Sequence, residues 1–191
     1  MNDDLRYVLS HFTFDVIILW IILAFLCFVI GYAFHRRGKM RFKSCLALSI
    51  LIFYLASVYM LTISARIVTP EATLKAELFW SYKQIAAGNK SILLEVILNV
   101  VLFVPYGLIA SIMARSKIKW TVFLTGFLLT VGIELTQLLT HRGLFEFDDI
   151  IHNTLGTIIG IGIYYIFANI FIVIERKIAA SKRTKTIPPL T

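Results

Sequence analysis

Long apolar runs fix what this chain can become. Five of them, at about 14–34, 44–63, 92–114, 120–140 and 150–174, are each long enough for a helix to cross the roughly 30 Å of hydrocarbon in a bilayer. In lipid every backbone donor and acceptor must be satisfied within the protein, which a helix does by itself, whereas a barrel would show short alternating segments. Composition agrees: 59% of the 191 residues are hydrophobic and 16% are charged, too few polar side chains to coat a water-soluble domain of this size. The expected fold class is therefore all-α, a polytopic membrane bundle of about five transmembrane helices. The first run is too long for a signal-peptide core, follows Asp3-Asp4 and leads into Arg36-Arg37 without a small-residue cleavage site, so it is expected to stay as a helix.

Charge then sets an expected orientation. Segment 35–43 holds Arg36, Arg37, Lys39, Arg41 and Lys43; segment 115–119 holds Arg115, Lys117 and Lys119; and the tail holds Arg176, Lys177, Lys182, Arg183 and Lys185. The intervening segments share only Arg6, Arg66, Lys75, Lys83, Lys90 and Arg142, with nearly all the acids. By the positive-inside rule, residues 1–13 are an extracellular N-terminus, 14–174 the transmembrane domain and 175–191 a basic cytoplasmic tail, expected to be irregular from Ser181 onward. The net charge of +8 is accounted for by these flanks and forms no aromatic-interleaved patch, so no nucleic acid is expected as a partner. Cys27 and Cys45 fall in the first two spans with no zinc or disulfide spacing, and neither a metal nor a cofactor is expected.

The one sizeable loop, 64–91, carries Thr69-Pro70-Glu71, a pattern of cap, first-turn proline and first-turn acid, and a stop at Gly88. A short helix is predicted there, with Leu74, Leu78, Tyr82 and Ile85 on one apolar face, lying on the outer leaflet or packed on the bundle as a connector. No internal repeat is present, which weighs against an inverted-repeat transporter.

Polar groups inside hydrocarbon cost several kcal/mol unless partnered, so each one there needs a reason. In the third span Glu95 and Asn99 lie four apart on one face; in the fourth, Glu134 and Gln137 lie three apart; the fifth opens with Asp148 and Asp149 and continues with His152 and Asn153. Short loops make these spans neighbours, so their polar faces are expected to converge near the outer surface. Other readings stand beside that one. The amides can tie helices together, Glu134 can pair with Arg142 or Arg66, Asp148 and Asp149 can be helix-start acids, and His152 can be an interface residue. Pro105 and Gly107 suggest a kink, and the Gly156-xxx-Gly160 spacing a close helix contact.

The run Asn99-Val-Val-Leu-Phe-Val-Pro-Tyr-Gly107, the segment Gly132-Ile-Glu-Leu-Thr-Gln137 and the stretch Arg142-Gly-Leu-Phe-Glu-Phe-Asp-Asp-Ile-Ile-His-Asn-Thr-Leu-Gly156 resemble, in that order, the VanZ-like family of bacterial membrane proteins over about 93–160. The resemblance implies a multi-pass protein of the bacterial plasma membrane, with a founding member that gives teicoplanin resistance, and no established enzyme activity. It implies Asn99, Glu134, Gln137, Arg142, Asp148, Asp149 and Asn153 as the characteristic polar positions. Two positions depart from the family pattern: Leu78 replaces a common proline, and His152 stands where an apolar residue is usual.

Three functions are weighed. An outward polar pocket suits an amphiphile, with membrane lipids as partners and a lipid-linked wall precursor or lipoglycopeptide antibiotic as further candidates. An intramembrane enzyme would use Glu134 and Asp149 as an acid–base pair on a lipid head group, though no serine or cysteine nucleophile stands out. Proton-coupled transport through Glu95 and Glu134 would need inward access that the apolar inner halves do not provide.

Overall fold

The computed structural model describes residues 14–71, 73–114 and 119–185. The expected outer segment 1–13, loop residues 115–118 and the last tail residues, 186–191, lie outside the described residues. Helix α1 (Phe14–Arg36) pairs with α2 (Phe42–Tyr59), which continues as a π-helical turn, Met60–Ser64. A short strand β1 (Thr73–Lys75) and a short helix α3 (Trp80–Ala86) precede α4 (Lys90–Met113), α5 (Lys119–Thr140), strand β2 (Leu144–Glu146) and the long α6 (Phe147–Lys185). Five of the helical segments are long and apolar enough to cross a membrane: Phe14–Arg36, Phe42–Ser64, Lys90–Met113, Trp120–Thr140 and Phe147–Ala179. The chain is a polytopic, all-α membrane protein, and the expected spans match these within a few residues.

Its apolar surface faces outward. Leu19, Phe25, Phe167 and Phe171 are exposed, while the helix contacts are made by small residues and a few rings. In the α1–α2 hairpin Gly31 touches Cys45, whose thiol donates to the Gly31 carbonyl at 3.0 Å. Val58, Phe103 and Ile133 form a core between α2, α4 and α5, and the Tyr54 hydroxyl donates to the Leu102 carbonyl. The helix continues through Pro105, which has no N–H to give the Val101 carbonyl.

The closest approach is between α4 and α6. A Cβ on Gly156 would lie 2.1 Å from the Val100 carbonyl oxygen, one on Gly160 2.2 Å from that of Val104, and one on Gly107 2.2 Å from that of Thr157. The Gly156-xxx-Gly160 spacing thus performs the packing expected of it. Gly126 on α5 makes room for the Thr157 side chain, which is fully buried where three helices meet.

Two expectations are corrected. The loop helix does not start at Thr69: the Thr69 N–H donates to the His141 carbonyl at 2.8 Å, and β1 pairs in parallel with β2, Thr73 opposite Leu144 and Lys75 opposite Glu146. Main-chain pairing with a distant strand replaces helical bonding there, and Phe79, left-handed at φ 61°, separates β1 from the seven-residue α3. Leu74 and Leu78 are exposed, and of the expected apolar face Tyr82, also exposed, meets His152 of α6, while Gly88, at φ 89°, follows the helix end as expected. The second correction is at the far end, where α6 continues through Ser181 to Lys185 because Ala, Lys and Arg all favour helix beyond the bilayer.

Candidate functional site

The Asn89 side chain caps α4, accepting from the Ser91 and Ile92 N–H groups at 3.1 and 3.4 Å, and this sets Asn99 two turns in. Asn99 Nδ2 donates to Asp149 Oδ1 at 2.7 Å, joining the N-terminal halves of α4 and α6. One turn deeper, Asn153 Nδ2 donates to the Thr130 hydroxyl at 2.9 Å, joining α6 to α5. Glu134, 1% exposed, accepts the Glu146 N–H at 3.0 Å, joining α5 to β2. The three polar faces therefore do converge, as a ladder of side chains across α4, α5 and α6. The buried side-chain oxygen of Asn153, Oδ1, has no hydrogen-bond partner among the described residues, whereas its main-chain carbonyl accepts from the Thr157 hydroxyl at 3.2 Å.

Glu134 sits in the field of Asp149, and both feel the Glu146 carboxylate and the Arg66 guanidinium. Toward the surface, Asn99 and Asp149 are half-buried and Glu95 and Arg66 exposed. Glu146, just outside the membrane segments, has its carboxyl pushed above the ordinary range by burial; Lys75 opposes the shift and Glu95 adds to it.

The remaining expected residues are engaged with main chain. The second span ends in the π turn Met60–Ser64, and like any helix end it leaves some of its last carbonyls without helical donors. Gln137 Nε2 donates to the Thr62 carbonyl at 2.8 Å and Arg142 Nη1 to that of Ser64 at 2.9 Å, so these two side chains clasp the end of that span. The expected Glu134–Arg142 ion pair is absent among the described residues, since Arg142 is turned to Ser64 and Arg66 is the cation near Glu134. Asp148, fully buried, accepts the Phe79 N–H at 2.6 Å, the Ser81 N–H at 3.0 Å and the Ser81 hydroxyl at 2.6 Å, fixing the start of α3 from 67 residues away. His152, beside it, meets the Tyr82 hydroxyl at 3.2 Å.

Thr130 and Glu146 were missed in the sequence. Thr130 precedes Glu134 by four and Gln137 by seven, so helical spacing was enough to place it on the same face. Glu146 points inward only because β2 pairs with β1, which no local pattern announces.

Five crossing helices with an acid–amide ladder at one end define a polytopic membrane protein built around an intramembrane polar centre. The family model described as VanZ/LLP1 matches residues 16–168, and the chain belongs to that family. The match extends the resemblance from the last three spans to all five. No curated protein and no solved structure matches the chain.

Proposed function

We propose that this protein receives the polar head of an amphiphile at the Asn99–Asp149–Glu134–Asn153 ladder while the ligand's tail stays in lipid. It does so from the outer leaflet of the bacterial plasma membrane, with its N-terminus outside and its C-terminus in the cytoplasm. The observation that carries the reading is the half-buried Asn99–Asp149 pair, with Glu95 and Arg66 exposed and Glu134 and Asn153 buried. Asn153 Oδ1, without a partner among the described residues, adds an acceptor. A centre of carboxylates and amides with one nearby arginine favours heads rich in donors, such as hydroxyl, amide N–H or ammonium groups, over a bare phosphate. Lipid-linked wall precursors and lipid-tailed glycopeptides of the teicoplanin type both carry such heads, which ties the site to the resistance associated with the family.

The acid–base alternative has less support, because Glu134 is almost fully enclosed and its carboxylate is held by a main-chain N–H. Glu134→Gln and Asp149→Asn separate binding from mere tying: they keep shape and hydrogen bonding but remove charge. In cells producing each variant at matched membrane levels, susceptibility to a tailed glycopeptide and binding of a wall-precursor lipid should both change. Wild-type behaviour from both variants refutes the site.

A further inference from the structure

The opposite end of the bundle has a chemistry of its own. The α1–α2 turn is a closed motif: Gly38, at φ 69°, gives its N–H to the His35 carbonyl at 2.8 Å and Lys39 its N–H to that of Phe34 at 2.9 Å, while His35 Nδ1 meets the Met40 carbonyl at 2.9 Å. Arg41 anchors this turn to the end of α4, its Nη2 donating to the Ile112 and Met113 carbonyls at 3.0 and 3.3 Å. Between turn and helix end lies a cavity of about 280 Å³ lined by Gly38, Lys39, Met40, Arg41, Ser44 and Met113. No acid lines it, and the one ion pair among the described residues is Lys83–Glu77, so Lys39 and Arg41 keep their charge unneutralised. Ser44 is 6% exposed, and its hydroxyl has no partner among the described residues.

We propose that this cavity binds the phosphate of an anionic phospholipid in the leaflet opposite the acid–amide ladder. Lys39 supplies a mobile cation, the Arg41 guanidinium has donors left beyond those committed to α4, and the Ser44 hydroxyl supplies a neutral donor from the cavity wall. Arg36 and Arg37, exposed and just before this turn in the chain, add positive charge that raises the local concentration of anionic lipid, while Lys43 lies over the Phe171 ring at 5.5 Å. The lipid source follows from position: the cavity lies where α1 and α4 end and α2 begins, at the edge of three membrane-length apolar helices, where lipid head groups would lie. The bound lipid would bridge the α1–α2 hairpin and α4, and this assignment stands whatever occupies the ladder at the other end.

The test uses the full-length protein transferred from vesicles of phosphatidylcholine alone or mixed with phosphatidylglycerol, with retained lipid counted by native mass spectrometry. Wild type should keep one phosphatidylglycerol per chain in preference to phosphatidylcholine. Lys39→Gln should weaken that preference about fivefold, the effect of one interfacial cation. Ser44→Ala, which perturbs the fold least, should weaken it further when combined with Lys39→Gln, and Lys90→Gln at the other end should leave it unchanged. Millimolar inorganic phosphate should fail to displace the lipid. No preference in wild type, wild-type preference in Lys39→Gln, no further loss on adding Ser44→Ala, or displacement by free phosphate would each overturn the proposal.

Discussion

Replacing Gly156 by alanine should separate α4 from α6 and cost stability, in spite of alanine's better helix propensity. The added Cβ would stand 2.1 Å from the Val100 carbonyl oxygen and 3.0 Å from the Phe103 Cβ, where ordinary contact begins at 3.4 Å. Since Val100 O is helix backbone it cannot rotate away, and the helices must part by the difference, about 1.3 Å. Overpacking of this kind costs ~1–3 kcal/mol and the rigid neighbour puts it at the upper end, while the propensity gain of Gly to Ala returns up to ~1 kcal/mol. A net loss of about 2 kcal/mol is expected. The same displacement would lengthen the neighbouring Asn99–Asp149 hydrogen bond from 2.7 Å to about 4 Å, beyond bonding range, so the polar ladder should fail together with the packing. Gly132 and Gly162 have open space at the Cβ position, and alanine there should be neutral or stabilising by up to ~1 kcal/mol. Unfolding of the purified protein in detergent, followed by tryptophan fluorescence across a denaturing-surfactant titration, measures all three. Equal stability of Gly156→Ala and Gly132→Ala would refute the reasoning.

Asp148→Ala should free the start of α3 and leave the Ser81 N–H and hydroxyl unpaired, at ~1–3 kcal/mol; labelling of Leu78→Cys should accelerate, and an unchanged rate counts against the anchoring role. Removing both Gln137 and Arg142 side chains should unravel the π turn at Met60–Ser64, seen as faster amide exchange there and not in α4. Because burial raises the folded-state value of the Glu146 carboxyl above its unfolded value, the folded protein holds the proton longer, so this group's contribution is greatest at low pH and is lost as pH rises above about 4.5. Glu146→Gln should flatten that part of the stability profile, and an identical profile would contradict the burial argument. For the proposed orientation, an impermeant thiol reagent on intact cells should label Leu78→Cys and spare Lys39→Cys; the reverse inverts the topology.

Span lengths were legible because hydrocarbon thickness leaves little choice of length, and the Gly156–Gly160 contact because small residues at helical spacing have few other uses in lipid. The convergence of Asn99 with Asp149 followed from helical periodicity and short loops. What stayed hidden depends on distant main chain. Thr69-Pro70-Glu71 has the local grammar of a helix start, yet the segment after it pairs with residues some 70 positions later, and a cap for α3 came from Asp148. That Gln137 and Arg142 donate to the end of the second span could not be read locally, because nothing in the chain marks Met60–Ser64 as a π turn with carbonyls to satisfy.

The parallel pairing of β1 with β2 also has a consequence in time. The membrane protein emerges from its N-terminus, so Thr73 leaves the ribosome 71 residues before its partner Leu144. At ~5–20 residues per second that interval is about 4–14 s. Throughout it β1 has no strand beside it and α3 has no Asp148 to hold its first N–H groups. A chain halted before its fourth loop would therefore show an extended, unpaired segment on the membrane surface, a ready substrate for a surface protease, and delivery of the last helix is the event that withdraws it.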